Sequence, residues 1–262
     1  MIDSLKDKVA FVSGGSRGIG FACAMRLASG GANVFLVSSN LKKLKLSADA
    51  IRKKSAALVE VHAADLRLLE GCEAAVGSFL KTFGKCDILI NSAGATKAGE
   101  FMDQPDEEML DGFSLKFHSA VRLCRLMWSE LKKTKGCVIN IVGGMARTPT
   151  NDFLVGGAVN AALANFSKGL ANQGLIDDVN VNWINPGLTE TERSQAIFEK
   201  RAHLQNKSVQ DIRQDAIASD GLRRLGRPED VSELVAYLCG PHARHIHGTG
   251  ISVDGGGSKG YY

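Results

Sequence analysis

Short apolar runs alternate with longer segments of helical spacing along the whole chain, and this alternation constrains the fold more than any single motif. The runs fall at 9–13, 33–37, 58–62, 87–91, 137–142, 180–184 and 250–253. The segments between them at 20–29, 41–54, 69–83, 107–133, 157–173 and 228–238 repeat apolar residues at the period of a helix. Strand, helix and strand in repetition describe an α/β protein whose mostly parallel sheet is covered on both faces. With only 5 Pro and no Ser- or Pro-rich linker, the pattern predicts one domain over 1–262. Segment 188–225 departs from the pattern, being rich in charged and amide side chains with scattered apolar positions. It follows a strand end, where open α/β sheets bind ligands, and reads either as a substrate lid or as a solvated helical insertion.

Composition narrows the function classes. Hydrophobic residues make up 44% of the chain, enough burial to offset chain entropy, and the net charge of +4 is too small to argue for nucleic acid or a membrane surface. Cys23, Cys72, Cys86, Cys124, Cys137 and Cys239 are scattered, with no CxxC pair and no zinc-like spacing. Reduced thiols and no metal are expected. Residues 1–12 carry Asp3 and Asp7 and lack the apolar stretch of a signal peptide, and no uncharged run is long enough to span a bilayer. The expectation is a cytoplasmic protein that binds neither membrane nor nucleic acid.

The first apolar run leads into Ser13-Gly14-Gly15-Ser16-Arg17-Gly18-Ile19-Gly20 and then directly into an apolar helix. Glycines there allow a tight turn, a close approach to a pyrophosphate and close packing of helix on strand, while the helix N-terminus offers free N–H groups. Five further stretches follow in order: Asp65-Leu66, Asn91-Ser92-Ala93-Gly94, Pro186-Gly187-x-x-x-Thr191, Gly226-Arg227-Pro228-Glu229-Asp230 and Val253-Asp254-Gly255-Gly256.

In order and spacing this series resembles the short-chain dehydrogenases/reductases, and within them the branch of 3-oxoacyl-carrier-protein reductases, over essentially the whole chain. The resemblance implies a single doubly wound Rossmann domain with a seven-stranded parallel sheet, an NAD(P) cofactor, a small carbonyl or alcohol substrate, and a homotetramer or homodimer. It implies that Gly14, Ser16, Arg17, Ile19 and Gly20 face the cofactor phosphates and ribose, with Ser39 beside them. Asp65 and Leu66 would meet the adenine, Asn91, Ala93 and Gly94 the adenosine ribose, and Pro186, Gly187, Thr189 and Thr191 the nicotinamide end. Read without the family, Asp65 is a solvated turn carboxylate and the threonines are helix caps.

Charge argues for NADP over NAD. NAD-specific sites place an acid at the end of the second strand to grip the ribose 2′-OH. Here that strand ends Val37-Ser38-Ser39-Asn40, while Arg17 and Lys42 or Lys43 offer cations to a 2′-phosphate.

The catalytic positions depart from the family. There, a Tyr exchanges the proton at the substrate carbonyl, a Lys one turn later supports it, an upstream Ser orients the substrate, and an Asn on an earlier helix completes a relay. In the same register these positions are Gly156, Asn160, Gly143 and Lys116. The only tyrosines are Tyr237, Tyr261 and Tyr262, so no shift of register recovers the missing acid. Asn and Lys stand exchanged between the two helices, which predicts that Lys116, with Asn160, binds ribose or relays a proton, its pKa depressed by burial. The alternative is a Lys116 that snorkels to a subunit surface. Gly156, Gly157, Ala158, Ala161 and Ala162 leave room for a dimer contact and a void at the Tyr position that admits a bulkier substrate.

Three other features are read plainly. His118 lies on the face opposite Lys116, as a core or interface residue; 148–152 is a turn and cap; and His242, His245 and His247 lack the acidic or thiolate company of a metal site. The resulting expectation is an NADP-dependent oxidoreductase with an atypical site, or else a non-catalytic NADP-binding homologue serving as sensor or scaffold.

Overall fold

The computed structural model describes residues 5–94 and 96–259; Tyr261 and Tyr262 lie outside the described residues. The first half is β1 (Val9–Ser13), α1 (Gly18–Ser29), β2 (Asn33–Ser38), α2 (Leu41–Arg52), β3 (Val59–Ala63), α3 (Leu69–Phe83) and β4 (Ile88–Asn91). The second is α4 (Asp106–Gly112), α5 (Ser119–Thr134), β5 (Cys137–Ile141), α6 (Leu154–Asp177), β6 (Asn180–Pro186), α7 (Glu192–Gln205), α8 (Val209–Asp220), α9 (Pro228–Leu238) and β7 (Gly250–Val253). The seven strands pair in the order β3-β2-β1-β4-β5-β6-β7, every pair parallel.

Alternation along each strand divides the core into two layers. Ala10 and Val12 of β1 join Leu36, Ile90, Ile139 and Ile184 beneath α1, α2 and α9, while Val9 and Phe11 join Phe35, Leu89, Val138 and Val181 beneath α3, α5 and α6. Both layers are apolar because helices cover both faces, which is why the strands read as continuous apolar runs. The segment expected as one helix over 107–133 is instead α4, a π-helical stretch at Phe113–His118, and α5. Segment 188–225 carries two helices, α7 and α8, that bury Phe198, Ala202, Ile212 and Leu225 in a small core of their own. Among the described residues no helix is long and apolar enough to cross a membrane.

At the far end of α6 the Asp177 carboxylate accepts hydrogen bonds from Trp128 Nε1 at 2.8 Å, Lys132 Nζ at 2.6 Å and Gln173 Nε2 at 2.7 Å, tying α6 to α5. Lys132, then Trp128 and Gln173, hold this carboxyl well below the usual carboxylate range. A depressed folded-state pKa contributes stability above the unfolded pKa and loses it as pH falls. Asp177→Asn should therefore lower the urea midpoint at pH 7, and the gap to wild type should narrow as pH drops below about 4.

Candidate active site

β2 and β4 flank β1 on opposite sides, so the strand order reverses there and a crevice opens beyond the carboxyl ends of the strands. A cavity of about 1290 Å³ occupies it. At its floor the chain turns through Gly14 and Gly18, with φ of +69° and +55°, a conformation open to glycine. A Cβ on Gly20 would stand 2.3 Å from the Gly14 carbonyl oxygen, so only glycine lets α1 start this close to the loop. The first turn of α1 has neither a side-chain cap nor an acidic residue, which leaves its N–H groups for an anion. Ser13 Oγ accepts from the Ser92 and Ala93 N–H groups at 3.0 and 3.2 Å, and Ser47 Oγ donates to the Ser16 carbonyl, fixing the loop between β4 and α2.

Most of the residues expected at the cofactor line this cavity: Gly14, Ser16, Arg17, Ile19, Gly20, Ser39, Asp65, Leu66, Ala93, Gly94, Pro186, Gly187, Thr189 and Thr191. Asn91 is not brought to the wall. It is buried, and its amide donates inward to Asn140 Oδ1 at 2.8 Å, bracing β4 against β5. Asp65 already accepts from the Arg67 backbone N–H and guanidinium, at 3.0 and 3.1 Å. Thr191 caps α7, its hydroxyl accepting from the Ser194 N–H at 3.2 Å, and Thr189 donates to the Gly187 carbonyl, so both also play the turn and cap roles read from sequence. Of the two candidate lysines on α2, Lys43 lines the cavity.

Lys116 and Asn160 come together across two helices. The Lys116 ammonium donates to Asn160 Oδ1 at 2.6 Å and to the Val142 carbonyl, while its aliphatic stem lies against Gly94, where an added Cβ would come within 3.2 Å of Cδ. Burial, with the Arg193 guanidinium adding like charge, pushes Lys116 down to about 7. An ammonium has three protons to donate; two are engaged by neutral oxygens, and among the described residues no carboxylate bonds to it. The surface-snorkelling alternative is set aside by this geometry.

The neighbouring glycines are not empty space. Gly143 has φ of +134°, and a Cβ there would stand 2.9 Å from Asn160 Nδ2. A Cβ on Gly156 would fall 2.0 Å from Cζ of Phe153. The void expected at the Tyr position is thus filled by the Phe153 ring, one turn earlier, which corrects the expectation of extra room for a bulky substrate. Sequence reading passed over Phe153, although a residue three positions before Gly156 is its neighbour on a helix surface. It also passed over Glu192, which begins α7 beside Arg193. Glu192 meets Arg17 and Lys43, and Arg193 donates across the cleft to the Thr96 carbonyl.

The remaining candidates lie elsewhere. His118 is exposed rather than in the core, and Tyr237 lies half-exposed on α9, away from the cavity lining. His247 is a strut: Nδ1 accepts from the Val181 N–H at 3.3 Å, so Nε2 carries the proton and donates to the Ala171 carbonyl at 2.7 Å. Among the described residues no group of three or more His, Cys, Asp or Glu is placed to hold a metal ion.

A doubly wound sheet with an uncapped glycine-loop helix at its switch point defines a dinucleotide-binding α/β protein. Residues 14–258 match the family model described as Enoyl-(Acyl carrier protein) reductase, and the chain belongs to this family of short-chain dehydrogenases/reductases. It is similar to the NADPH-dependent reductase BacG of Bacillus subtilis, 30% identical over 260 residues covering 97% of this chain and 99% of that one. It is also similar to the 3-oxoacyl-[acyl-carrier-protein] reductase FabG of Escherichia coli, 30% identical over 257 residues with 97% and 98% covered. The L-sorbose reductase of Gluconobacter frateurii, solved with NADPH and L-sorbose, superposes with a TM-score of 0.95 at 30% identity, covering 99% of this chain and 100% of that one.

Introducing the family acid should expose the Phe153 plug. Gly156→Tyr alone is expected to cost about 1–3 kcal/mol of stability through overpacking. Adding Phe153→Ala should recover part of that loss, a coupling read by urea unfolding of the two single variants and the double.

Proposed function

We propose that the chain is an NADP-dependent reductase of small carbonyl compounds in which Lys116, hydrogen-bonded to Asn160, supplies the proton that a tyrosine supplies elsewhere in the family. The observation that carries this reading is the Lys116 ammonium, set among neutral acceptors and pushed down to about 7 by burial. The cofactor fits the residues present. The Gly14–Gly20 approach leaves a cradle that a side chain would fill, the α1 amides await a pyrophosphate, and β2 ends without the acid that would repel a 2′-phosphate. Similarity to BacG and to the NADPH-bound L-sorbose reductase supports the same choice.

The nicotinamide supplies a hydride when bound, so carbonyl reduction asks the protein for one proton and for stabilisation of charge building on the substrate oxygen. Lys116 answers both needs. Its third proton is free to donate to that oxygen, and its positive charge opposes the developing negative charge in a largely desolvated position. Asn160 and the Val142 carbonyl hold the ammonium in place, and Asn91 braces the strands beneath it. The helical hairpin of α7 and α8 forms the lid over the substrate side, where Ile197, Phe198 and Ile212 face the cavity. Self-association as a homodimer or homotetramer through α6 is supported by the exposed Leu175 and Ile176 and by the open space at Gly169.

Lys116→Met should retain NADPH binding in a fluorescence titration and lose turnover by about 10²- to 10⁴-fold. In wild type the donor is protonated below its pKa, so carbonyl reduction should fall as pH rises through about 7. Undiminished turnover in Lys116→Met would remove the proton-donor role. NADPH binding without reduction of any compound in a broad carbonyl panel would favour the non-catalytic reading, towards which the missing tyrosine points.

A further inference from the structure

The cations expected to greet a 2′-phosphate already hold an anion. Glu192, the first residue of α7, places Oε2 3.0 Å from Arg17 Nη1 and 2.7 Å from Lys43 Nζ. Both partners come from the adenosine side of the cleft, the glycine loop and α2, whereas Glu192 comes from the hairpin on the far side, 149 positions along the chain from Lys43. Its two cations, Lys43 ahead of Arg17, hold the carboxyl below its ordinary value, so it is charged at neutral pH. Sequence reading looked for an acid at the end of β2 and found Ser38, Ser39 and Asn40; the acid facing this corner is supplied from another part of the fold.

We infer that Glu192 is a built-in competitor for the 2′-phosphate seat, occupying Arg17 and Lys43 when that phosphate is absent and setting how strongly the chain prefers NADPH over NADH. This inference rests on the NADP reading above. A carboxylate and a phosphate have the same demand for charge-assisted hydrogen bonds, and two cations cannot bridge both at full strength. NADPH must therefore displace Glu192 from the pair, while NADH, which carries a 2′-hydroxyl, has no claim on it. The side chains of Arg17, Lys43 and Glu192 are 54%, 43% and 56% exposed, so the bridge is a solvent-screened one that a dianion can replace. Because Glu192 begins α7 and its neighbour Arg193 bonds across the cleft to Thr96, the same turn spans both walls.

The test is cofactor affinity, read by nicotinamide fluorescence without any substrate. In Glu192→Gln, which keeps the size of the side chain and removes its charge, NADPH should bind about three- to tenfold more tightly while NADH changes by less than about twofold, the range set by loss of two exposed ion pairs. Glu192→Ala should move both affinities in the same directions, and thermal melting confirms that each variant is folded. Raising salt should shrink the effect as screening weakens the bridge. An unchanged ratio of NADPH to NADH affinity in both variants, with wild type preferring NADPH, overturns the competitor role and leaves the NADP reading standing. Weaker NADPH binding in the variants also overturns it, showing Glu192 to be a supporting contact. If wild type binds neither dinucleotide, both readings fail together.

Discussion

The closeness of α1 to the end of β1 decides what the upper end of the sheet can do. Gly20 sits under the Gly14 carbonyl at a distance that no side chain could tolerate. That approach turns the N–H groups of α1 towards the crevice, and the absence of a cap or acid leaves them unmatched. Ser13, Ser47 and the Val37 carbonyl then lock the loop to β4, α2 and β2, so the anion seat is built from backbone held by two side-chain hydroxyls and a strand carbonyl. The remainder of the cleft inherits its position from this corner, because β4 and β5 present Gly94 and Gly143 at fixed offsets from β1 in a parallel register.

Lys116, Gly143, Gly156 and Asn160 sit close to one another or to shared neighbours. Asn160 places its amide where a Cβ at 143 would stand, so a side chain at 143 conflicts with Asn160 in this conformation. Asn160 in turn gives the Lys116 ammonium an acceptor that carries no charge. A carboxylate in that place would hold the proton firmly on the lysine, whereas a carbonyl oxygen leaves desolvation to govern its pKa. The Phe153 ring lies over Gly156, in the space a side chain there would need. A side chain at 143 meets Asn160, and one at 156 meets Phe153.

How much of this was legible depends on how local the signal is. Strand positions and sheet type were readable because burial on both faces leaves continuous apolar runs, and β1, α3, α9 and β7 occur at the limits their patterns indicated. The exchange of Lys116 and Asn160 was visible as a substitution between two helices, and their contact followed from how those helices pack in the family. The π-helical stretch at Phe113–His118 was not visible, since a locally widened turn keeps nearly the same apolar spacing. Asn91 was placed at the cofactor by motif alone, and only the strand pleat shows its amide turned inward to Asn140. Glu192 was invisible for a different reason: its partners are distant in sequence, and a single acid in a charged segment has no pattern to mark it.

Charge pairing across the cleft separates the two ends of the site. Around the glycine loop and β3 Arg67 is matched by Asp65 and Asp111, and Arg17 and Lys43 by Glu192; on α7, Arg201 is matched by Asp152. Among the described residues, Lys116 and Arg193 instead bond to neutral oxygens, those of Val142, Asn160 and Thr96. Charge on Lys116 there costs desolvation, which its lowered pKa records. Uncompensated charge is suited to a step in which negative charge appears transiently, because nothing has to be displaced when it does. Proton donation and electrostatic stabilisation both require the charged lysine, so they share one direction of pH dependence and differ in whether the proton has left Nζ by the end of the step. A tyrosine hydroxyl, neutral before it donates, offers the substrate oxygen a hydrogen bond without a full positive charge.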